Sequence, residues 1–182
     1  MKRFLTILKW CLIVWGGITL LASLIFAGFL AYSIGIGNRN RINSASEKDV
    51  RFVLNWCRLD EKSIEKVVHS YISSRSMTGD HLDAYAIKVT HLDTEELLLT
   101  TDGMQDHWYR GDKLPELLAE AVGIIDGTLH EIPWFPEQKK LRTQEYYVYP
   151  VSIMIHGLRP TAVDIIFARP SDRMIYYFSL KT

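Results

Sequence analysis

An uncharged stretch from Trp10 to Asn38 is the sequence feature that most constrains this chain. Lys9 is the last charged residue before it, and Arg39 is the first charged residue after it. A membrane-spanning helix needs roughly 20 apolar residues, and this stretch is longer than that. Aromatic rings stand near both of its ends, where they favour the headgroup level. The sequence therefore predicts a transmembrane helix over residues 10–38 after a short basic tail over residues 1–9.

A cleaved signal peptide is the alternative to a retained membrane anchor. The apolar run is longer than the usual ~7–15 residues, and no Ala-x-Ala-like cleavage site closes it. Basic residues stand on both sides of the run, so the positive-inside rule barely discriminates between the two orientations. We favour an uncleaved signal anchor with a cytoplasmic amino terminus. In a bacterium the chain would lie in the inner membrane with its carboxyl-terminal domain in the periplasm.

Small side chains recur every four residues along the predicted span. Such a seam lets two transmembrane helices approach closely, which predicts self-association and a homodimer. The competing explanation is that transmembrane helices are rich in Gly and Ala in any case. The candidate residues are Thr19, Ser23, Ala27, Ala31 and Gly35.

The remaining chain is predicted to comprise a short linker, residues 39–46, and one domain, residues 47–182. All acidic residues follow the span, and the net charge of this part is about −3. A nucleic-acid-binding domain normally carries a basic patch, so we expect no nucleic-acid partner. Cys57 is the only cysteine outside the span, so the domain forms no internal disulfide.

Hydrophobic periodicity predicts an α+β domain of element order α-α-β-β-α-β-β-β. The predicted helices cover residues 47–58, 61–73 and 112–126, and the predicted strands cover residues 82–91, 97–101, 144–156, 161–168 and 173–181. This order predicts an antiparallel sheet with its helices on one face. The arrangement resembles a cystatin-like or nuclear-transport-factor-2-like cone, in which a curved sheet wraps a helix. That likeness concerns topology and implies little about function.

Two groups of His and Asp residues suggest metal ligands, but their spacing argues against a metal site. His81-Leu82-Asp83 and His91-Leu92-Asp93 stand ten residues apart. Ten residues of one strand span roughly 33 Å, so the two triplets cannot share an ion. The second group, Asp102, Asp106, His107 and Asp112, lacks the ligand order of a calcium loop. We therefore expect no metal ion and no cofactor.

No nucleophile elbow, phosphate loop or HExxH motif is present, so an enzyme is not the favoured interpretation. The segment Ile132-Pro133-Trp134-Phe135-Pro136 holds two large rings in a stiff, extended loop. Trp134 and Phe135 either cover the core or anchor a protein partner. We expect a membrane-anchored domain that mediates protein–protein interaction, as a component of a cell-envelope assembly. The alternative is a small-molecule or lipid-binding domain with a pocket between helix and sheet.

Overall fold

The computed structural model describes residues 2–35, 38–76, 78–98 and 107–182. The chain divides into two compact units, Met1–Arg39 and Asn40–Thr182. The helices are α1 (Lys2–Gly35), α2 (Glu47–Trp56), α3 (Thr94–Leu98), α4 (Glu116–Gly123) and α5 (Gln138–Leu141). The strands are β1 (Arg41–Ile42), β2 (Ile64–Ile72), β3 (His81–Val89), β4 (Tyr109–Arg110), β5 (Tyr147–His156), β6 (Arg159–Arg169) and β7 (Met174–Lys181).

The first unit is a single helix, α1. Its segment Lys9–Tyr32 is long and apolar enough to cross a membrane. None of this segment is buried within the first unit.

The second unit is built on a seven-stranded sheet of order β1-β2-β3-β7-β6-β5-β4. Every pair of neighbouring strands is antiparallel, which confirms the α+β class and the antiparallel sheet. The final strand, β7, occupies the middle of the sheet between β3 and β6. Part of the predicted linker, Arg41–Ile42, forms the edge strand β1 and so belongs to this unit.

Helices cover both faces of the sheet, so the prediction of helices on one face is wrong. Successive side chains of a strand point to opposite faces, and the two core clusters take alternate residues of the same strands. One cluster joins Val50, Val53 and Leu54 of α2 to Tyr85, Ile87 and Tyr177. The other joins Leu118, Ala121 and Val122 of α4 to Ala84, Ala86 and Phe178. The covering of both faces departs from the cone-like arrangement, in which a sheet wraps helices on one side.

The helix predicted over residues 61–73 is wrong, because this segment contains strand β2. Its pairing with β3 is irregular at two places, between Ile64 and Lys66 and between Val67 and His69. Each such bulge adds one residue and interrupts the alternation of the strand. The apolar residues therefore recur at spacings of three and four, as they do in a helix. Branched side chains at Ile64, Val67, Val68 and Ile72 favour the strand.

Two further elements differ from the prediction. Residues 94–98, expected as a hairpin loop and the start of a return strand, form α3, and the rest of that predicted strand lies outside the described residues. The third predicted helix, residues 112–126, does not include Asp112 in the structure. This residue lies in a separate 3₁₀ turn, Gly111–Lys113, and α4 begins only after Pro115.

Gly111 fixes how this turn packs. A Cβ atom at this position would lie 2.2 Å from the Leu141 carbonyl oxygen and 2.6 Å from that of Thr143. Both neighbours are backbone atoms, so the packing of the turn against the α5 segment requires glycine.

Candidate functional site

The Pro-rich loop predicted as a candidate site lies over the face of the sheet that α4 covers. Ile132 and Phe135 are its buried anchors, and the Phe135 N–H donates to the Ile132 carbonyl at 2.9 Å. The Glu131 carboxylate accepts a short hydrogen bond from the Tyr71 hydroxyl, which ties the loop to β2. Two buried apolar side chains and the hydrogen bond between Tyr71 and Glu131 therefore hold this loop against the sheet.

Phe135 is 3% exposed and contributes to the core. Its ring centroid lies 6.0 Å from that of Phe167, 5.6 Å from that of Tyr176 and 5.6 Å from that of Phe178. These tilted and edge-on contacts are the favourable arrangements of aromatic rings. Of the two roles considered for this ring, its burial favours covering the core.

Trp134 differs from Phe135 because its side chain is only partly buried. It stacks on the His69 ring with centroids 5.1 Å apart and an interplanar angle of 21°. Trp134 also lines a cleft of about 400 Å³, which we call the Trp134 cleft. The principal residues around the cleft are Pro133, Trp134, Lys140, Tyr146, Arg169 and Tyr176.

Arg169, at the end of β6, is the most constrained charged group of the cleft. Its Nε donates to Asp172 Oδ1 at 2.8 Å, and its Nη2 makes a second, shorter bond to the same carboxylate. Its Nη1 donates to the Tyr146 hydroxyl at 2.8 Å, and its Nη2 to the Tyr176 hydroxyl at 3.2 Å. The guanidinium carbon lies 5.4 Å and 5.9 Å from the centroids of the same two rings. Arg169 is therefore held in one orientation before any ligand arrives.

The electrostatics of the cleft follow from these contacts. The hydrogen bond with Asp172 is the main cause that raises the pKa of Arg169 above its usual value. Burial raises the pKa of Tyr176 to about 12, and burial likewise raises the pKa of Tyr146. Both phenols therefore stay protonated at neutral pH. Each hydroxyl oxygen accepts a hydrogen bond from Arg169, so each hydroxyl proton is left to be donated to a ligand.

The rim of the cleft carries charges of both signs. Lys140 is exposed, and Glu137 forms an ion pair with Lys139 at 2.6 Å. The hydrogen bond from Lys139 lowers the pKa of Glu137. Aromatic walls, one fixed guanidinium and protonated phenols are groups that bind rather than groups that transfer protons at neutral pH. The arrangement therefore suits recognition.

The other predicted site residues lie along α1. Thr19, Ser23, Ala27 and Ala31 are exposed, and Gly35 is the last helical residue. The Thr19 hydroxyl donates to the carbonyls of Trp15 and Gly16, and the Ser23 hydroxyl donates to the Thr19 carbonyl. These hydroxyls are thus satisfied within their own helix, and self-association through the seam stays a prediction.

The His and Asp groups take structural positions. His81 Nδ1 lies 2.8 Å from the Gly79 carbonyl oxygen, and its Nε2 lies 3.0 Å from Ser179 Oγ. Asp112 forms an ion pair with Arg110. Asp102 and Asp106 lie outside the described residues. Within the described ranges, no three His, Cys, Asp or Glu side chains are grouped so that they could hold a metal ion.

Arg169 is the functional candidate that the sequence reasoning missed. Its segment, Arg169-Pro170-Ser171-Asp172, connects the strands predicted over residues 161–168 and 173–181 and carries no site motif. An Arg and an Asp three residues apart across such a turn are the one signal that could have suggested the ion pair. Comparison with protein-family models, with curated proteins and with solved structures gives no match.

Proposed function

We propose that this chain is a single-pass membrane protein whose exported domain binds a protein partner through the Trp134 cleft, as a component of a cell-envelope assembly. In a bacterium the domain would face the periplasm. The length and apolar character of α1 support the anchor. The observation that carries the binding role is the meeting of Trp134, Tyr146, Tyr176 and Arg169 around one cleft.

The composition of the cleft suits a protein contact. Trp, Tyr and Arg are the residue types most enriched among the side chains that dominate binding energy in interfaces. Because Arg169 is already fixed by Asp172 and two phenols, binding a partner would cost little additional side-chain entropy. Since Asp172 balances its charge, the cleft favours an apolar side chain beside a neutral acceptor such as a backbone carbonyl.

A second candidate function uses the same cleft for a small molecule or a lipid. Its volume of about 400 Å³ falls within the usual range of small-ligand pockets. It also lies between the α5 segment and the sheet, where Lys140 and Tyr176 face it from the two sides. The two candidates differ in the mass of what is bound, so one experiment separates them.

The test is capture from native membranes in a mild detergent, with the wild-type chain and two matched variants. Trp134→Ala removes the ring at the cleft. Trp56→Ala is the control, because Trp56 is 43% exposed and packs near Phe52 on α2, over the opposite face of the sheet. We expect a protein that is captured by the wild type and by Trp56→Ala and lost from Trp134→Ala.

The captured protein is then purified, and its affinity for each variant is measured. Loss of a dominant interface residue costs about 2 kcal/mol or more, so the affinity should fall roughly 30-fold for Trp134→Ala. Equal affinity for all three chains would remove the cleft as the binding site. A compound of low mass that co-purifies with the wild type and leaves Trp134→Ala would instead select the second candidate.

A further inference from the structure

The hairpin formed by β5 and β6 ends in an apolar tip, which we define as residues 154–159. Met154 is 59% exposed, Ile155 is 51% exposed and Leu158 is 93% exposed. Between residues 146 and 163 the only formally charged residue is Arg159. Single exposed apolar side chains are ordinary, but three within five residues form a patch that points to a binding surface.

The tip exposes apolar side chains on every side. Met154 and Ile155 are successive residues of β5 at a place where the pairing with β6 is irregular. The extra residue there, Thr161, belongs to β6, so the two β5 side chains still project from opposite faces of the hairpin. Leu158 lies in the two-residue turn, which Gly157 makes possible with a φ of 66°. Among the described residues, β4 pairs with β5 only at Tyr147 and Val148, so no described strand covers the outer edge of β5 near the tip. A protein partner would cover one side, whereas a lipid phase surrounds a tip that is apolar all round.

The tip lies at the end of the sheet where the chain enters the domain. One row of paired residues crosses the sheet as Arg41, Ile72, Asp83, Ser179, Asp164 and Ser152. Asn40 precedes this row, and β5 continues beyond it in the same direction, from Ser152 to His156. Four residues of strand reach about 13 Å past the row. Ile42, which is 65% exposed, belongs to this same end.

The domain follows α1 closely along the chain. Residues 36–39 separate Gly35 from Asn40, and an extended linker of that length reaches about 18 Å at most. If α1 crosses a bilayer, the end of the domain that carries the tip is tethered close to the lipid surface.

We propose that the hairpin tip inserts into the interfacial layer of the bilayer that holds α1, and so forms a second, peripheral membrane contact. Leu158, Met154 and Ile155 enter among the upper acyl chains, and Arg159 binds a lipid phosphate. Insertion is shallow, because the open edge of β5 carries backbone polar groups that need water or headgroups as partners. This inference rests on the membrane anchoring within the proposed function and is independent of the Trp134 cleft.

The experiment places one fluorescent label at a time on the full-length chain, reconstituted in vesicles that contain zwitterionic and anionic phospholipids. The parent variant is Cys11→Ser, in which the remaining Cys57 is 2% exposed and measures the labelling background. Leu158→Cys reports the tip. Ser171→Cys is the matched control, because Ser171 is exposed in a turn at the opposite end of the sheet. Native Cys11, labelled in the wild-type chain, reports whether α1 is embedded.

Phospholipids that carry a nitroxide on the upper acyl chain should quench most of the emission at position 158 and almost none at position 171. A water-soluble maleimide should modify Leu158→Cys much more slowly than Ser171→Cys. If position 158 is unquenched and reacts as fast as position 171 while Cys11 is quenched, the tip is in water and the inference is wrong. If position 158 is unquenched but reacts with the maleimide much more slowly than position 171, a protein surface covers the tip and the inference is also wrong. An unquenched Cys11 would refute the membrane anchoring itself.

Discussion

Replacing each ring of the Trp134-Phe135 pair separately tests whether the two side chains have different roles. Phe135 is buried among Phe167, Tyr176 and Phe178. Phe135→Ala should lower the free energy of unfolding by about 3–5 kcal/mol, because truncation of a buried Phe loses its transfer energy and leaves a cavity. Trp134 is only partly buried and contacts the rings of His69 and Phe135, so Trp134→Ala should cost only roughly 1–2 kcal/mol.

The assay is thermal unfolding of the full chain in detergent, followed by near-ultraviolet circular dichroism, which reports tertiary packing of aromatic rings and not the helicity of α1. For a domain of this size each kcal/mol shifts the Tm by roughly 3 °C, so Phe135→Ala should lose roughly 10–15 °C and Trp134→Ala about 5 °C. In the capture experiment Trp134→Ala should fail to bind the partner even at temperatures well below its Tm, where the domain is still folded.

Two results would refute this division of roles. A Tm for Phe135→Ala close to that of the wild type would mean that the ring does not contribute to the core. A fall in Tm for Trp134→Ala as large as the fall for Phe135→Ala would mean that Trp134 also covers the core. In that case the lost partner binding would reflect unfolding rather than a missing contact.

Four further outcomes are expected. Gly111→Ala should unfold the domain below physiological temperature in the same near-ultraviolet assay, because the added methyl group collides with two backbone oxygens. The pKa of Tyr176 is near 10 when the domain is unfolded and about 12 when it is folded, so the free energy of unfolding falls as the pH rises from 10 to 12. In denaturant titrations at about pH 9 and about pH 11.5, Tyr176→Phe should remove about 2 kcal/mol of that fall. Alkaline phosphatase fused after Thr182 should be active in a bacterial host, and an active cytoplasmic reporter there would reverse the proposed orientation. Replacing Ala27 and Ala31 by Leu should lower the signal of a membrane-helix association assay, and an unchanged signal would contradict the seam.

Strong local patterns predicted much of the fold, and irregular pairing explains the principal error. The three carboxyl-terminal strands are separated by clear turns, and they form as predicted within a few residues, although β5 pairs irregularly with β6 at two places. The apolar residues of β2 recur at the spacing typical of a helix, and two bulges allow the same residues to form a strand. A bulge depends on the partner strand, so one segment considered alone cannot reveal it.

The candidate site was predicted in part for a similar reason. Two prolines and two large rings within five residues are a local signal, and the loop that they form does border a cleft. Arg169, Tyr146 and Tyr176 belong to other segments, and their meeting requires β5, β6 and β7 to be in register. Hydrogen bonds over such separations have no signature in the spacing of residues along the chain.

The central position of β7 has a consequence for how the domain is made. The first three strands of the sheet and its other three strands are joined only through β7, which is synthesised after all of them. Until β7 inserts, β3 and β6 each present an open edge, and these edges can pair with other chains. Contacts between segments this distant in sequence form slowly. In the proposed orientation the amino terminus stays in the cytoplasm and the domain is exported with β1 first and β7 last. The domain would therefore spend its translocation as two incomplete half-sheets, and we expect it to depend on a holding chaperone on the far side until β7 is released.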